Sequence, residues 1–464
     1  MNPCRVSASV LRTASRTPPV PVELLLDDGR SLVLKKLLRV LPGKRITGIA
    51  YLDDKPVVAK LFIARHGCKR HWQREQHGTQ RLLDCGLPTP LQFSAGKLHA
   101  GGYYVLKEFI EDAKNPSELL KNHSNECLSK IFATIGRMHA HGLIHQDAHL
   151  GNFLLKKDQV FVLDGDAVHH ASSPVDSIKN LALLLAQLPP KIICQENLLT
   201  VYQQENPGAI IDRNHLELSV SKARQKRLHD YLKKCLRDCS QFQVTRKFGR
   251  FVSMLRDEAE YLLPIIADPD GWLKTGRPLK TGRTATLATV THSGRELVIK
   301  RYNIKNPRHA LSRCWRPSRA WHSWVAAHRL EFLGITTPRP LAMIEKRCGP
   351  FRREAWLIME HCHGVSLTDY LSPHGGKPPT LLLENIQVAF QQLADANITH
   401  GDLKASNLLC HKDQIFLIDL DAMKQHASTS GFRRAWEKDR QRFLHNWPLT
   451  SPLHRIFDAL TKTI

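Results

Sequence analysis

Three polar residues interrupt the apolar frame of residues 141–155, HGLIHQDAHLGNFLL: His145, Asp147 and Asn152. Residues 396–409, ANITHGDLKASNLL, repeat the frame with His400, Asp402 and Asn407. Twelve residues beyond each asparagine an apolar run ends in an aspartate, Asp164 in KKDQVFVLDGDAV and Asp419 in HKDQIFLIDLDAM. Upstream, two strand-like runs carry a lysine, Lys60 in KPVVAKLF and Lys300 in GRELVIKRY. Phosphoryl transfer from ATP needs these groups: a cation on the phosphates, oxygen ligands for Mg2+, and a carboxylate to take the acceptor hydroxyl's proton. Asp147 and Asp402 suit the last role. Asn152, Asp164, Asn407 and Asp419 offer hard oxygens to magnesium, and Lys60 and Lys300 suit the phosphates. His145 and His400 are expected to brace their loops rather than to do chemistry.

The elements that must position these residues recur in order. Asp147 to Asp402, Asn152 to Asn407 and Asp164 to Asp419 are each 255 positions apart, which points to duplicated domains. Each lysine run is β-branched and apolar, as a buried strand would be. A helical stretch and a proline turn follow, RLLDCGLPTPLQF in one half and RLEFLGITTPRPL in the other. Then come YYVLKEFIE and AWLIMEHCHGVSL, each a strand leading into a polar crossing segment. Helical patterns such as LHDYLKKCLRDC precede LLPIIADPDGWLKTGRPLK, whose Pro, Asp and Gly read as a connection. The expectation is an α+β chain with a flexible N-terminus over residues 1–20, a first domain over 21–250 and a second over 251–464, each strand-rich at first and helical after.

Composition narrows the partners. Over 464 residues, 67 Lys and Arg outnumber 43 Asp and Glu for a net charge of +24, which favours polyanionic partners. That charge is spread along the chain without a recognised nucleic-acid motif, so nucleic acid is not expected. The basic run FRRAWEKDRQR reads as a solvated helix face. The 11 cysteines make neither CxxC pairs nor zinc-finger spacing, which argues against a metal framework or disulfide scaffold. The richest apolar run, LALLLAQLPPKII, is broken by Pro189 and Pro190 and is too short to span a bilayer. The N-terminal residues lack the apolar block of a secretory signal.

Neither half has a full GxGxxG loop, offering LPGKRITG and KTGRTATLATV instead, and Asp-Phe-Gly and Ala-Pro-Glu are missing. The chain instead resembles the bacterial lipopolysaccharide core kinases, the heptose and Kdo kinase family with a reduced protein-kinase-like fold. The second half carries this in RPSRAWHSWVAAHRLEFLGITTPRPLA, THGDLKASNLL and IFLIDLDAM, and the first in REQHGTQRLLDCGLPTPLQF, IHQDAHLGNFLL and VFVLDGDAV. The resemblance implies two tandem kinase-like domains, each a small β-rich N-lobe and a helical C-lobe. It also implies ATP-dependent phosphorylation of a core sugar, heptose first, with the core glycolipid as substrate at the cytoplasmic face of the inner membrane, whose anionic surface the net charge suits. The rival readings are a serine/threonine or small-molecule kinase and a non-catalytic nucleotide-binding scaffold. Glu75 stands where a kinase holds its lysine with an acid, but Ser323 occupies that place in the second half, with Glu331 a poorly placed substitute. Lys404, two residues after Asp402, is a cofactor-contacting candidate where the first half has His149. Asp166 and Asp421 read as turn or capping residues, with magnesium ligation the alternative.

Overall fold

The computed structural model describes residues 4–99, 101–116, 125–188, 196–282, 284–303, 315–374 and 377–464. Residues 189–193 and Arg283 of the stretches quoted above lie outside them. The α+β chain divides into two compact units, Met1–Arg227 and Leu228–Ile464.

In the first unit seven strands form one sheet, in the order Cys4–Arg5, Val22–Leu25, Ser31–Leu41, Arg45–Leu52, Lys55–Phe62, Tyr103–Glu108, Gln92–Lys97. The lysine strand Lys55–Phe62 is thus paired on both sides, with Lys60 opposite Thr47 and Val105. Its hairpin turn places Asp53 and Asp54 at φ 48° and 59°, the left-handed pair that a two-residue turn between twisted strands requires. Residues 4–20, expected as a flexible lead-in, instead contribute the strand Cys4–Arg5 and the helix Ala8–Thr13. Ala8 and Leu11 are buried in the sheet's core, and that apolar pair is what pins the segment.

The helix Cys68–Asp84 buries Glu75, Gly78, Thr79 and Leu82, one face at i, i+3, i+4, i+7. A glutamate on the buried stripe is the first sign that this face meets charge. The helix Asn125–Ala140 turns Leu128, Ile131, Phe132, Ile135 and Met138 into a second core, which also takes Leu181, Leu184 and Leu185 of the helix Pro174–Leu185. Two small antiparallel pairs frame the polar motif: Leu143–His145 with Val168–His170, and Phe153–Lys156 with Gln159–Val162.

In the second unit the sheet runs Phe242–Lys247, Arg250–Leu255, Pro340–Cys348, Phe351–Glu360, Arg295–Tyr302, Ala285–His292, Arg277–Thr281. The hairpin 242–255 therefore belongs to this sheet through its pairing with Pro340–Cys348, so a cut at 250/251 would split a hydrogen-bonded ladder. The compact units meet at 227/228, within the helix Arg213–Lys234. The stretch expected to be a connection folds as two helices, Ala259–Ala267 and Pro269–Thr275. Asp268 caps the second by accepting from the Gly271 amide at 2.9 Å, with Pro269 at the first helical position.

The helix Arg319–Leu333 starts at Ser318, whose hydroxyl accepts from the Trp321 amide, and stops at Gly334 with φ 73°. Helices Thr380–Asp395, Thr429–Leu444 and Pro452–Lys462 build the remaining core around Phe390, Phe443 and Phe457.

Candidate active site

Each motif loop is tied by the same bonds. In the first unit the Asn152 side-chain amide donates to the Asp147 carbonyl at 2.8 Å, and the Leu163 amide donates to the Asn152 carbonyl at 2.8 Å. In the second, Asn407 donates to the Asp402 carbonyl at 2.9 Å and the Ile418 amide to the Asn407 carbonyl at 3.0 Å. With Nδ2 committed to the loop, the amide Oδ1 is the asparagine atom left for a cation. His145 Nε2 meets the Leu163 carbonyl and His400 Nε2 the Ile418 carbonyl, both at 2.9 Å. A carbonyl only accepts, so Nε2 carries the proton in each. Burial pushes the His400 pKa down. Each ring is fully buried and ties its loop to the backbone just past the following strand, which braces the loop.

Asp164 and Asp419 end their strands at φ 61° and 62°, a left-handed conformation that aspartate tolerates better than most residues. This turn aims the carboxylate back at the sheet. Lys60 Nζ donates to Asp164 Oδ1 at 2.6 Å, and Lys300 Nζ to Asp419 Oδ1 at 2.5 Å, bringing together residues 104 and 119 positions apart. Burial pushes the Asp164 carboxyl up, but Lys60 and Arg45 outweigh it and hold it below its ordinary value. Asp419 is likewise raised by burial and lowered more by Lys300, to about 2.

What surrounds the two lysines differs. Lys60 also donates to Glu75, whose other oxygen accepts from Lys107 Nζ at 2.6 Å; Lys107 reaches Thr79 Oγ1 at 2.8 Å. Burial opposes the charge on Glu75, yet Lys60 and Lys107 drive its pKa well below the carboxylate range. By the register that sets Lys60 against Val105 and Lys300 against Leu357, the counterpart of Lys107 is Met359. Ser323 does not reach Lys300; its hydroxyl pairs with Tyr302 Oη at 2.7 Å. Lys300 Nζ lies 4.9 Å from the centre of the Tyr302 ring. Burial lowers the Lys300 pKa, but Tyr302 and Asp419 raise it further, so the amine is a cation at neutral pH. Glu331, the sequence's substitute acid, is taken by His328 Nδ1 at 2.9 Å.

The second acids are neither caps nor free. His71, Arg74 and Arg45 lie 2.9, 3.1 and 3.6 Å from Asp166, and Arg319 pairs with Asp421, which also hydrogen-bonds Asp419. Each ties its turn to the helix that follows the lysine strand. The first turn also approaches that helix closely: a Cβ on Gly78 would lie 1.9 Å from the Gly165 carbonyl oxygen.

Asp147 is exposed, with His149 Nε2 at 3.6 Å from its carboxylate. Asp402 is flanked by Lys404 Nζ at 3.1 Å and Arg442 at 3.4 Å. The basic helix 429–444 thus faces the site through Arg442, where the sequence showed only a solvated face. Asp439, buried on the same helix, accepts from the Gly401 amide at 2.8 Å. In the first unit Asn180 does the comparable work, donating to the His145 carbonyl at 2.6 Å and bonding buried His139 at 3.0 Å. Sequence reasoning missed Lys107, Asn180, Arg319, Asp439 and Arg442. Only Lys107 left a signal, a charge inside the apolar run YYVLKEF.

Comparison with known proteins places these segments. Residues 270–448 match the model of the lipopolysaccharide kinase (Kdo/WaaP) family. Residues 74–177 match the model of the lipopolysaccharide core biosynthesis protein WaaY. Among curated proteins, the probable bifunctional tRNA threonylcarbamoyladenosine biosynthesis protein of Methanosarcina acetivorans is 27% identical over 144 residues. That match covers 27% of this chain and spans only 25% of the relative. WaaP in complex with acyl carrier protein is similar at 17% identity and TM-score 0.33, over 41% of this chain and 89% of its own. WbdD is similar at 13% identity and TM-score 0.32, over 46% of this chain and 58% of its own. Among the described residues no helix is long and apolar enough to cross a membrane.

Proposed function

We propose that the chain phosphorylates a hydroxyl of a lipopolysaccharide core sugar, heptose first among candidates, with ATP and Mg2+ at two sites. The observation that carries this reading is the recurrence of one arrangement: a strand lysine on a strand-end aspartate, beside a loop whose Asp and Asn are locked together. Lys60 and Lys300 bind the phosphates, with Glu75 orienting Lys60. Asp147 and Asp402 receive the acceptor's proton, and each has an open or half-open carboxylate for a glycan to approach. Lys404 is set to meet the phosphoryl group being transferred, with His149 in that place in the first unit.

The donor set fits magnesium: Asp164 and Asp419 are held ionised and the Asn152 and Asn407 amide oxygens remain available. Bound there, the ion neutralises charge on the phosphates. The +24 charge supports a peripheral place on the anionic cytoplasmic face of the inner membrane, beside an anionic glycolipid substrate.

The test is label transfer from ATP to core lipopolysaccharide stripped of its phosphates, using Asp147→Ala, Asp402→Ala and the double variant. Each single variant should lose part of the transfer and the double variant about 10²–10⁴-fold, the usual contribution of a positioned base. Transfer undiminished in the double variant sinks the assignment, and loss confined to one single variant leaves one working site.

A further inference from the structure

A third cluster of chemistry lies in the second unit, at the end of strand Phe351–Glu360. Glu296 stands on strand Arg295–Tyr302, and His361 and His363 follow Glu360 in the crossing segment. The backbone joins them first, the His361 amide donating to the Glu296 carbonyl at 3.2 Å. Both imidazoles then turn Nδ1 toward the same carboxylate oxygen, Glu296 Oε2, at 3.2 Å for His361 and 3.6 Å for His363. The three ligand atoms lie within 4.8 Å of one another.

We propose that Glu296, His361 and His363 bind a divalent transition metal of the zinc class, which ties the crossing segment to the lysine strand. A tetrahedral zinc with ligands at about 2.0–2.1 Å holds neighbouring donor atoms roughly 3.3–3.4 Å apart, and the separations of 3.2 and 3.6 Å bracket that value. The rings stand at 85° with centroids 4.7 Å apart, so two nitrogens converge without stacking. His361 Nδ1 is buried and has no hydrogen-bond partner of good geometry. The donor set of two imidazoles and one carboxylate is that of a zinc site with an open fourth position, and His363, largely exposed, leaves that position to solvent.

An ion pair alone accounts for less of this. An ion pair to Glu296 needs one imidazolium, and a second one on the same carboxylate oxygen would add a like charge, yet both rings face that oxygen. The site is also particular to this unit. By the registers that match Lys60 with Lys300 and Val105 with Leu357, its counterparts in the first unit are Pro56, Phe109 and Glu111, which hold no such set.

The experiment titrates the full chain with Zn2+ against a chromophoric chelator at neutral pH, and records Co2+ spectra in parallel. The variants are Glu296→Gln, His361→Ala and His363→Ala, with exposed His445→Ala as the control; circular dichroism checks folding, which replacement of largely exposed His363 should leave intact. One tight equivalent is expected in the wild type and the control, weakened by more than about tenfold in each ligand variant, since changes outside the ligands alone cost that much. Zn2+ should also raise the melting temperature of the wild type and not of His363→Ala. Affinity and stoichiometry unchanged in His363→Ala would overturn the proposal, as would a Co2+ spectrum of octahedral form or one showing a thiolate band from neighbouring Cys362. The result does not depend on the kinase reading, because it is measured by metal binding and not by phosphate transfer.

Discussion

Lys60 and Lys300 reach the same contact, an ammonium on a strand-end carboxylate, through unlike surroundings. Around Lys60 the helix and the neighbouring strand supply Glu75, Lys107 and Thr79, a buried polar network with alternating charge. Around Lys300 the matching places hold Ser323 and Met359, and the lysine leans on the Tyr302 ring. The contact therefore does not require the glutamate. A buried network is strong while complete and costly when one member goes, whereas the packed alternative loses only what each contact contributes.

Substitutions sharpen that contrast. Glu75→Gln leaves Lys60 and Lys107 facing each other in the interior without their shared anion, and should destabilise the first unit by about 3–5 kcal/mol, read by denaturant unfolding. A loss under about 1 kcal/mol would show the network to be no more demanding than the tyrosine arrangement.

Acid should separate the units next. Burial lowers the His139 pKa to about 4, against the ordinary 6.5 of the unfolded chain. Its stabilising effect is complete above pH 6.5 and is lost as the pH falls toward 4, because only the unfolded chain takes up the proton in that window. The loss is about 3 kcal/mol at one proton, and it acts through Asn180 on the His145 loop. In the second unit the loop is held instead by the Asp439 carboxylate. Unfolding at a series of pH values should show His139→Gln flattening the acid limb; an unchanged slope would remove His139 from the account. Asp419 adds its own loss only below pH 3.8, approaching completion near 2.

Smaller effects follow from packing. Gly78→Ala should cost about 1–3 kcal/mol, since its Cβ meets the backbone of Gly165 and one of the two must move. Position 326, the matching place on the second helix, is already alanine and shares a core with Leu420, which stands where the first unit has Gly165. Ser323→Ala should cost about 1 kcal/mol, the loss of one buried hydrogen bond to Tyr302, with Lys300 still on Asp419. A larger loss, with altered nucleotide binding, would mean that Tyr302 positions Lys300 more firmly than the distance suggests.

Much of the candidate site was legible because it is local. The His-x-Asp spacing, the asparagine and the aspartate after an apolar strand all lie on one short stretch in each half, and the lysine strands announce themselves by β-branched runs. The hairpin turns at Asp53-Asp54 and Ser293-Gly294 are local too, each with two adjacent left-handed residues, yet the sequence pattern did not single them out. The N-terminal helix was lost because Ala8 and Leu11 are too few to make a pattern, and the 242–255 hairpin because nothing in its own residues says which sheet it joins.

By itself, then, the sequence determined the strands, the loops and the chemical types of the groups that end them, since each depends on residues a few positions apart. Only the tertiary structure decided the other partners: Lys107 on Glu75, Lys300 with Tyr302, Arg319 on Asp421, Arg442 beside Asp402, and Glu296 facing His361 and His363. Periodicity reports that a face is buried and not what buries it. These pairings join elements that are distant in the chain or register positions on neighbouring strands, so they exist only once the sheets and helices have packed.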